Sequence, residues 1–116
     1  MANDDTRPFR PKYVIDMYAF DALKYFEFAQ VSSVMNVINN DGCLGWTKEW
    51  GREFSEEEVW EALRRLLVAR CVRLAEVEGA YLRKASGFPV YSPGNRERYW
   101  FGPTDIGMAL WEQWQP

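Results

Sequence analysis

Between residues 54 and 70 the apolar positions Val59, Leu63, Leu66 and Leu67 recur at the i, i+4, i+7, i+8 spacing of one helical stripe. This predicts a helix that docks one face in a core and leaves the other free. Ser55 stands where an N-cap would, and Glu58 three residues on completes a capping box. Phe54 and Val59 are placed for a hydrophobic staple. Glu56 and Glu57 put negative charge at the positive end of the helix dipole, and Arg64, Arg65 and Arg70 put positive charge toward its other end.

Elsewhere the pattern is less even. Residues 1–12 are polar, with Pro8 and Pro11 against regular structure, and read as an N-terminal arm. Residues 13–18 fit a short strand or the lead into a helix, and periodicity does not separate the two. Asp21 is placed as a cap for an aromatic helix over 22–30, carrying Leu23, Tyr25, Phe26 and Phe28. Val31, Val34, Met35 and Ile38 make the next helical stripe, which Asn40-Asp41-Gly42 ends. Residues 45–52, with Trp46 and Trp50, read as a loop with one helical turn. After Ala69 the period drops to two: Val72 and Leu74 point one way, Arg73 and Ala75 the other, and Glu78-Gly79 turns the chain toward a strand at Tyr81 and Leu82. Residues 85–95 hold two Gly, two Pro and two Ser and predict a long loop at the hairpin tip. Residues 96–101 alternate again, Gly102-Pro103 should break that strand, and Thr104 with Asp105 should open a closing helix with Ile106, Leu110 and Trp114 on its inner face.

At 116 residues with 47% apolar content, the chain has the size and core material of one domain. No apolar run nears the roughly 20 residues needed to cross a bilayer, and the polar start lacks a secretory pattern, so a cytoplasmic protein away from membranes is expected. Cys43 and Cys71 share no motif and read as two separate thiols. There is no histidine at all, which removes the commonest general base and transition-metal ligand. Catalysis would have to rest on carboxylates, Lys or Tyr. The acids Glu56, Glu57, Glu58, Asp105 and Glu112 sit in helix first turns or on solvated faces, where they are favoured for structural reasons. A non-enzymatic protein with no cofactor and no metal is expected.

The order of elements, and two stretches in particular, resemble the winged-helix superfamily over about residues 31–116. One is the capped helix that runs through Leu66-Leu67 into a strand at Val72-Arg73-Leu74. The other is Tyr99, Phe101, Thr104 and Gly107, similar to a Tyr-x-Leu-Thr-x-x-Gly passage, with Gly102 and Pro103 inserted into its usual spacing. The resemblance implies an α+β fold of three to four helices, a two- or three-stranded antiparallel wing hairpin and a closing C-terminal helix. In DNA-binding members the third helix enters the major groove by its first residues while the wing touches the backbone.

Charge decides how far that implication carries. The net charge is −3, the wrong sign for a generic nucleic-acid binder, and the helix that would probe a duplex begins with three glutamates. Six tryptophans, some of them off the core stripes, suit a protein-binding surface. The leading expectation is therefore a module that recognises a basic protein partner, of an immunity, antitoxin-like or adaptor kind, through Glu56, Glu57, Trp60, Glu61 and Arg64 with Trp46 and Trp50. The alternative is a small DNA-binding regulator that uses the basic wing residues Arg83, Lys84, Arg96 and Arg98, dimerising through the aromatic N-terminal helix and the closing helix. A small-molecule sensor with an aromatic pocket near Tyr25, Phe28 and Trp100 is allowed by composition but has no convergent polar signature.

Overall fold

The capping box forms as the sequence predicts: Ser55 Oγ accepts from the Glu58 N–H at 3.1 Å, and a Glu58 carboxylate oxygen accepts from the Ser55 N–H at 2.9 Å. It starts the longest helix in a computed structural model that describes residues 14–40 and 53–114, without the side chains of Val14 and Trp114. The N-terminal arm, Cys43, Trp46 and Trp50 lie outside the described residues. In chain order the elements are α1 (Val14–Leu23), α2 (Val31–Asn39), α3 (Glu56–Val68), β1 (Val72–Glu78), β2 (Tyr81–Lys84), β3 (Tyr99–Pro103) and α4 (Asp105–Trp114). Among the described residues the fold is α+β, four helices with one three-stranded antiparallel sheet of order β2-β1-β3. No helix among the described residues is long and apolar enough to cross a membrane.

Residues 14–18 are helical, which settles the strand-or-helix ambiguity. The cap expected at Asp21 is instead an interior residue of α1, paired with Lys24 at 3.3 Å, and the aromatic helix over 22–30 does not form. The chain leaves α1 at Leu23 and extends so that Ala29 makes a two-way backbone bridge with Phe101, each N–H donating at 2.8 Å to the other's carbonyl. Helix α1 is a core helix: Ala19, Phe20, Ala22 and Leu23 are fully buried. It also buries Asp16, whose carboxylate takes three charge-assisted bonds of 2.7–3.0 Å from Arg65 on α3. Burial holds the Asp16 carboxyl above its ordinary value, with Arg65 pulling it only part of the way back.

Helix α2 ends at Asn39, whose side-chain amide donates to Phe54 O and accepts from Phe54 N–H, at 2.8 and 2.9 Å. This clamp sets the entry angle of α3. The far end of α3 closes with Cys71 N–H donating to Leu66 O and Arg70 N–H to Leu67 O, which places Arg70 at φ 65° in the left-handed region.

Gly79, at φ 62°, makes the tight turn between β1 and β2. The long loop is not at this tip. It leaves β2 after Lys84 and crosses α3 to reach β3 on the other side of β1, a non-local pairing that alternation along the chain does not reveal. Strand β3 starts at Tyr99, because residues 96–98 are in turns. It runs through Gly102 to Pro103, which faces Val72 at the strand's last position, where a missing N–H is tolerated.

Thr104 caps α4: its Oγ1 accepts from Gly107 N–H at 2.9 Å and donates toward the carbonyls of Arg70 and Cys71. The inner face of α4 is Gly107, Leu110 and Trp111, the last packed on Phe20 at 5.9 Å. Ile106, expected inside, is exposed, because Gly107 is the residue that approaches the Cys71 carbonyl, too closely for any Cβ. The core shared by these elements centres on Phe20, Trp60 and Phe101, each contributing on the order of 2 to 3 kcal/mol by burial.

Candidate binding face

Of the three glutamates that open α3, two are engaged within the chain. Glu58 completes the cap. Glu56 accepts from Tyr91 Oη at 3.0 Å and from Arg96 at 2.9 and 3.0 Å on its two oxygens. That contact keeps the Tyr91 hydroxyl and the Arg96 guanidinium protonated to higher pH than usual. Only Glu57 of the three faces freely outward, while Glu61 is paired with Arg64 at 3.0 Å. The expected anionic front is thus largely neutralised.

Trp60, expected at a partner interface, is fully buried. Its Nε1 donates to Pro89 O at 2.8 Å, and its ring meets Phe101, Tyr91 and Tyr99 edge-on at 5.3, 5.6 and 6.3 Å. It lies off the Val59-Leu63-Leu66 stripe because α3 is covered on two sides, by the helices on one and by the crossing loop on the other. A tryptophan one step off an apolar stripe, facing a Pro- and Tyr-bearing loop, is the signal that could have shown this.

The wing cations are matched in the same way. Arg83 pairs with Glu76 at 2.9 Å and also with Glu78, Arg98 pairs with Glu76 at 3.0 Å, and Arg96 serves Glu56. Register explains the pairing: Glu76 stands opposite Arg83 on β2 and opposite Tyr99, next to Arg98, on the β3 side. Of the four, only Lys84 has no carboxylate among the described residues. The aromatic residues suggested for a small-molecule pocket do not converge either, since Tyr25 is exposed under Lys24 and only Phe28 of the three reaches the groove described next. The aromatic helix over 22–30 expected at a dimer interface does not form, and of its side chains Leu23 is spent in the core while Tyr25 is exposed.

Of the nine large apolar side chains exposed among the described residues, five lie on the hairpin and crossing loop, the others being Tyr25, Val68, Ile106 and Met108. Val77 and Leu82 face each other across β1 and β2, and Tyr81, Phe88 and Val90 are 79%, 51% and 68% exposed. Beside them is a groove of about 870 Å³. It exists because β2 is shorter than β1: the two pair only from Ala75 to Glu78, Ala85 N–H makes a last bond to Leu74 O, and the chain then diverges. Leu67, Leu74, Leu82 and Phe88 supply its apolar lining. Arg70, Arg73, Arg83 and Lys84 supply its charge, with Arg73 held 4.4 Å over the Phe28 ring. Cys71, near this end of α3, is a buried free thiol that burial pushes up to about 11, so it is unreactive.

Comparison with protein-family models, with curated proteins and with solved structures finds no match to this chain.

Proposed function

We propose that this chain is a winged-helix-like, non-enzymatic binding module whose partner is a polypeptide, in an adaptor, immunity or antitoxin-like role. The element order supports the architecture: two helices separated by the Ala29 bridge, a capped third helix, and a sheet in which β3 lies between β1 and that bridge. One observation carries the functional reading. The crossing loop straps one flank of the first turns of α3 through the Glu56 and Trp60 contacts and leaves that helix end poorly placed to enter a duplex groove, while five of the nine large exposed apolar side chains among the described residues gather on the hairpin and loop. The wing cations that a duplex would need are mostly paired with the chain's own carboxylates.

The test is site-specific photocrosslinking in cells that naturally make the protein, with the photoreactive residue at Leu82 or Phe88 and, as controls, at Glu57 or Gln113. A discrete, nuclease-resistant polypeptide adduct from the first pair alone, reproduced with the purified partner, is the expected result. Adducts that vanish with nuclease, or that arise from position 57 instead, would overturn the reading.

A further inference from the structure

We propose that the groove between the shortened edge of β2, the last turn of α3 and Phe88 docks an acidic, extended polypeptide segment with apolar anchors. This rests on the binding-module reading and assigns its partner a charge opposite to the one the α3 glutamates suggest.

The groove combines an apolar floor with charge of one sign. Its volume, about 870 Å³, is large enough for two or three apolar side chains, and Leu67, Leu82 and Phe88 line it. Its charge is of one sign, for no aspartate or glutamate lines it. Arg83 is already matched by Glu76 and Glu78, but no carboxylate among the described residues pairs with Arg70, Arg73 or Lys84. In a chain of net charge −3, three uncompensated cations around an apolar floor set up a local field that selects carboxylates.

Arg70 adds an independent observation. It occupies the left-handed position after α3, where glycine costs nothing and arginine is strained, and its side chain lines the groove. Arg73 is preorganised by its stack on Phe28, so less side-chain freedom is lost on binding. A polypeptide fits better than nucleic acid. The lining is mainly aliphatic rather than a row of stacking aromatics.

The experiment uses the purified full chain as bait for a displayed library of random twelve-residue peptides, followed by affinity measurements with a synthetic winner. Asp and Glu interleaved with large apolar residues should be enriched. Arg73→Glu with Lys84→Glu should weaken the winner about a hundredfold, roughly tenfold per charge, with the far-ultraviolet circular dichroism and melting curve of the wild type. Arg70→Gly should weaken it about tenfold while Arg70→Lys restores most of the affinity. Enriched peptides that are basic, that ignore the charge reversal, or that fail to appear would overturn the acidic-segment proposal and leave the binding-module reading standing. A twelve-nucleotide oligo-dT that binds at physiological salt, and is lost in the same double variant, would remove both. Self-association abolished by that variant would replace the partner with a second copy and overturn the proposal as well.

Discussion

Replacing Arg70 by glycine is expected to make the protein more stable. Arg70 sits at φ 65°, one residue past the C-cap Ala69 of α3, with Arg70 N–H bound to Leu67 O at 3.0 Å and Cys71 N–H to Leu66 O at 2.9 Å. The left-handed conformation costs an L-residue with a Cβ roughly 1–2 kcal/mol, and glycine escapes that cost. Against this, glycine gains unfolded-state freedom worth about 0.5–1 kcal/mol, and the loss of a cation near the helix C-terminus costs a few tenths. The balance is a gain of about 0.5 kcal/mol, which in a chain of this size is a rise of about 2 °C in Tm. Thermal melts followed by circular dichroism resolve such a shift, and urea melts check it independently. Arg70→Ala is the decisive companion, because alanine keeps the Cβ and loses the guanidinium; it should melt at or slightly below the wild type. If the two variants move together, or if glycine lowers the midpoint, the strain does not exist.

Further outcomes follow from the packing. Gly107→Ala drives a methyl group into the Cys71 carbonyl and the Phe20 ring, and because Thr104 pins α4 to the same carbonyl the helix cannot yield; a loss of about 3 kcal/mol or more in urea melts is expected. Trp60→Phe removes the bond to Pro89 O and part of a buried ring, for about 2–3 kcal/mol in urea melts, and should speed amide exchange across 85–98 while leaving α2 protected. Asp16 has a folded pKa raised above 3.8, so the folded state binds its proton more readily than the unfolded one. Its contribution is full below 3.8 and declines as pH rises through the folded value, so wild type should lose stability relative to Asp16→Asn over that window; wild type gaining stability relative to Asp16→Asn as pH rises would contradict this.

The sequence exposes what is local and hides what is paired at a distance. The capping box, the stripe of α2, the turn at Gly79 and the Thr104 cap are each written within a few residues, and all form. Helix α1 was obscured because its buried Asp16 breaks the apolar face, and the partner that makes burial tolerable, Arg65, is 49 residues away. The aromatic run after Leu23 matches a helix in composition, but the bridge from Ala29 to Phe101 holds it extended. Trp60 read as surface because the loop that covers it crosses from the opposite edge of the sheet. The wing looked basic because Glu76 and Glu56, which neutralise it, meet Arg83, Arg98 and Arg96 only through register and loop path. The groove itself follows from a difference in strand length, and its one trace in the chain is Arg70 in a place that suits glycine.

The most direct measurement is a titration of ¹⁵N-labelled protein with the selected acidic peptide, read residue by residue from backbone amide shifts. The account predicts saturable changes confined to 67–75 and 81–88, with residues 55–61 silent. Shifts concentrated at 55–61, or equal responses to the acidic peptide and its lysine-substituted counterpart, would contradict it.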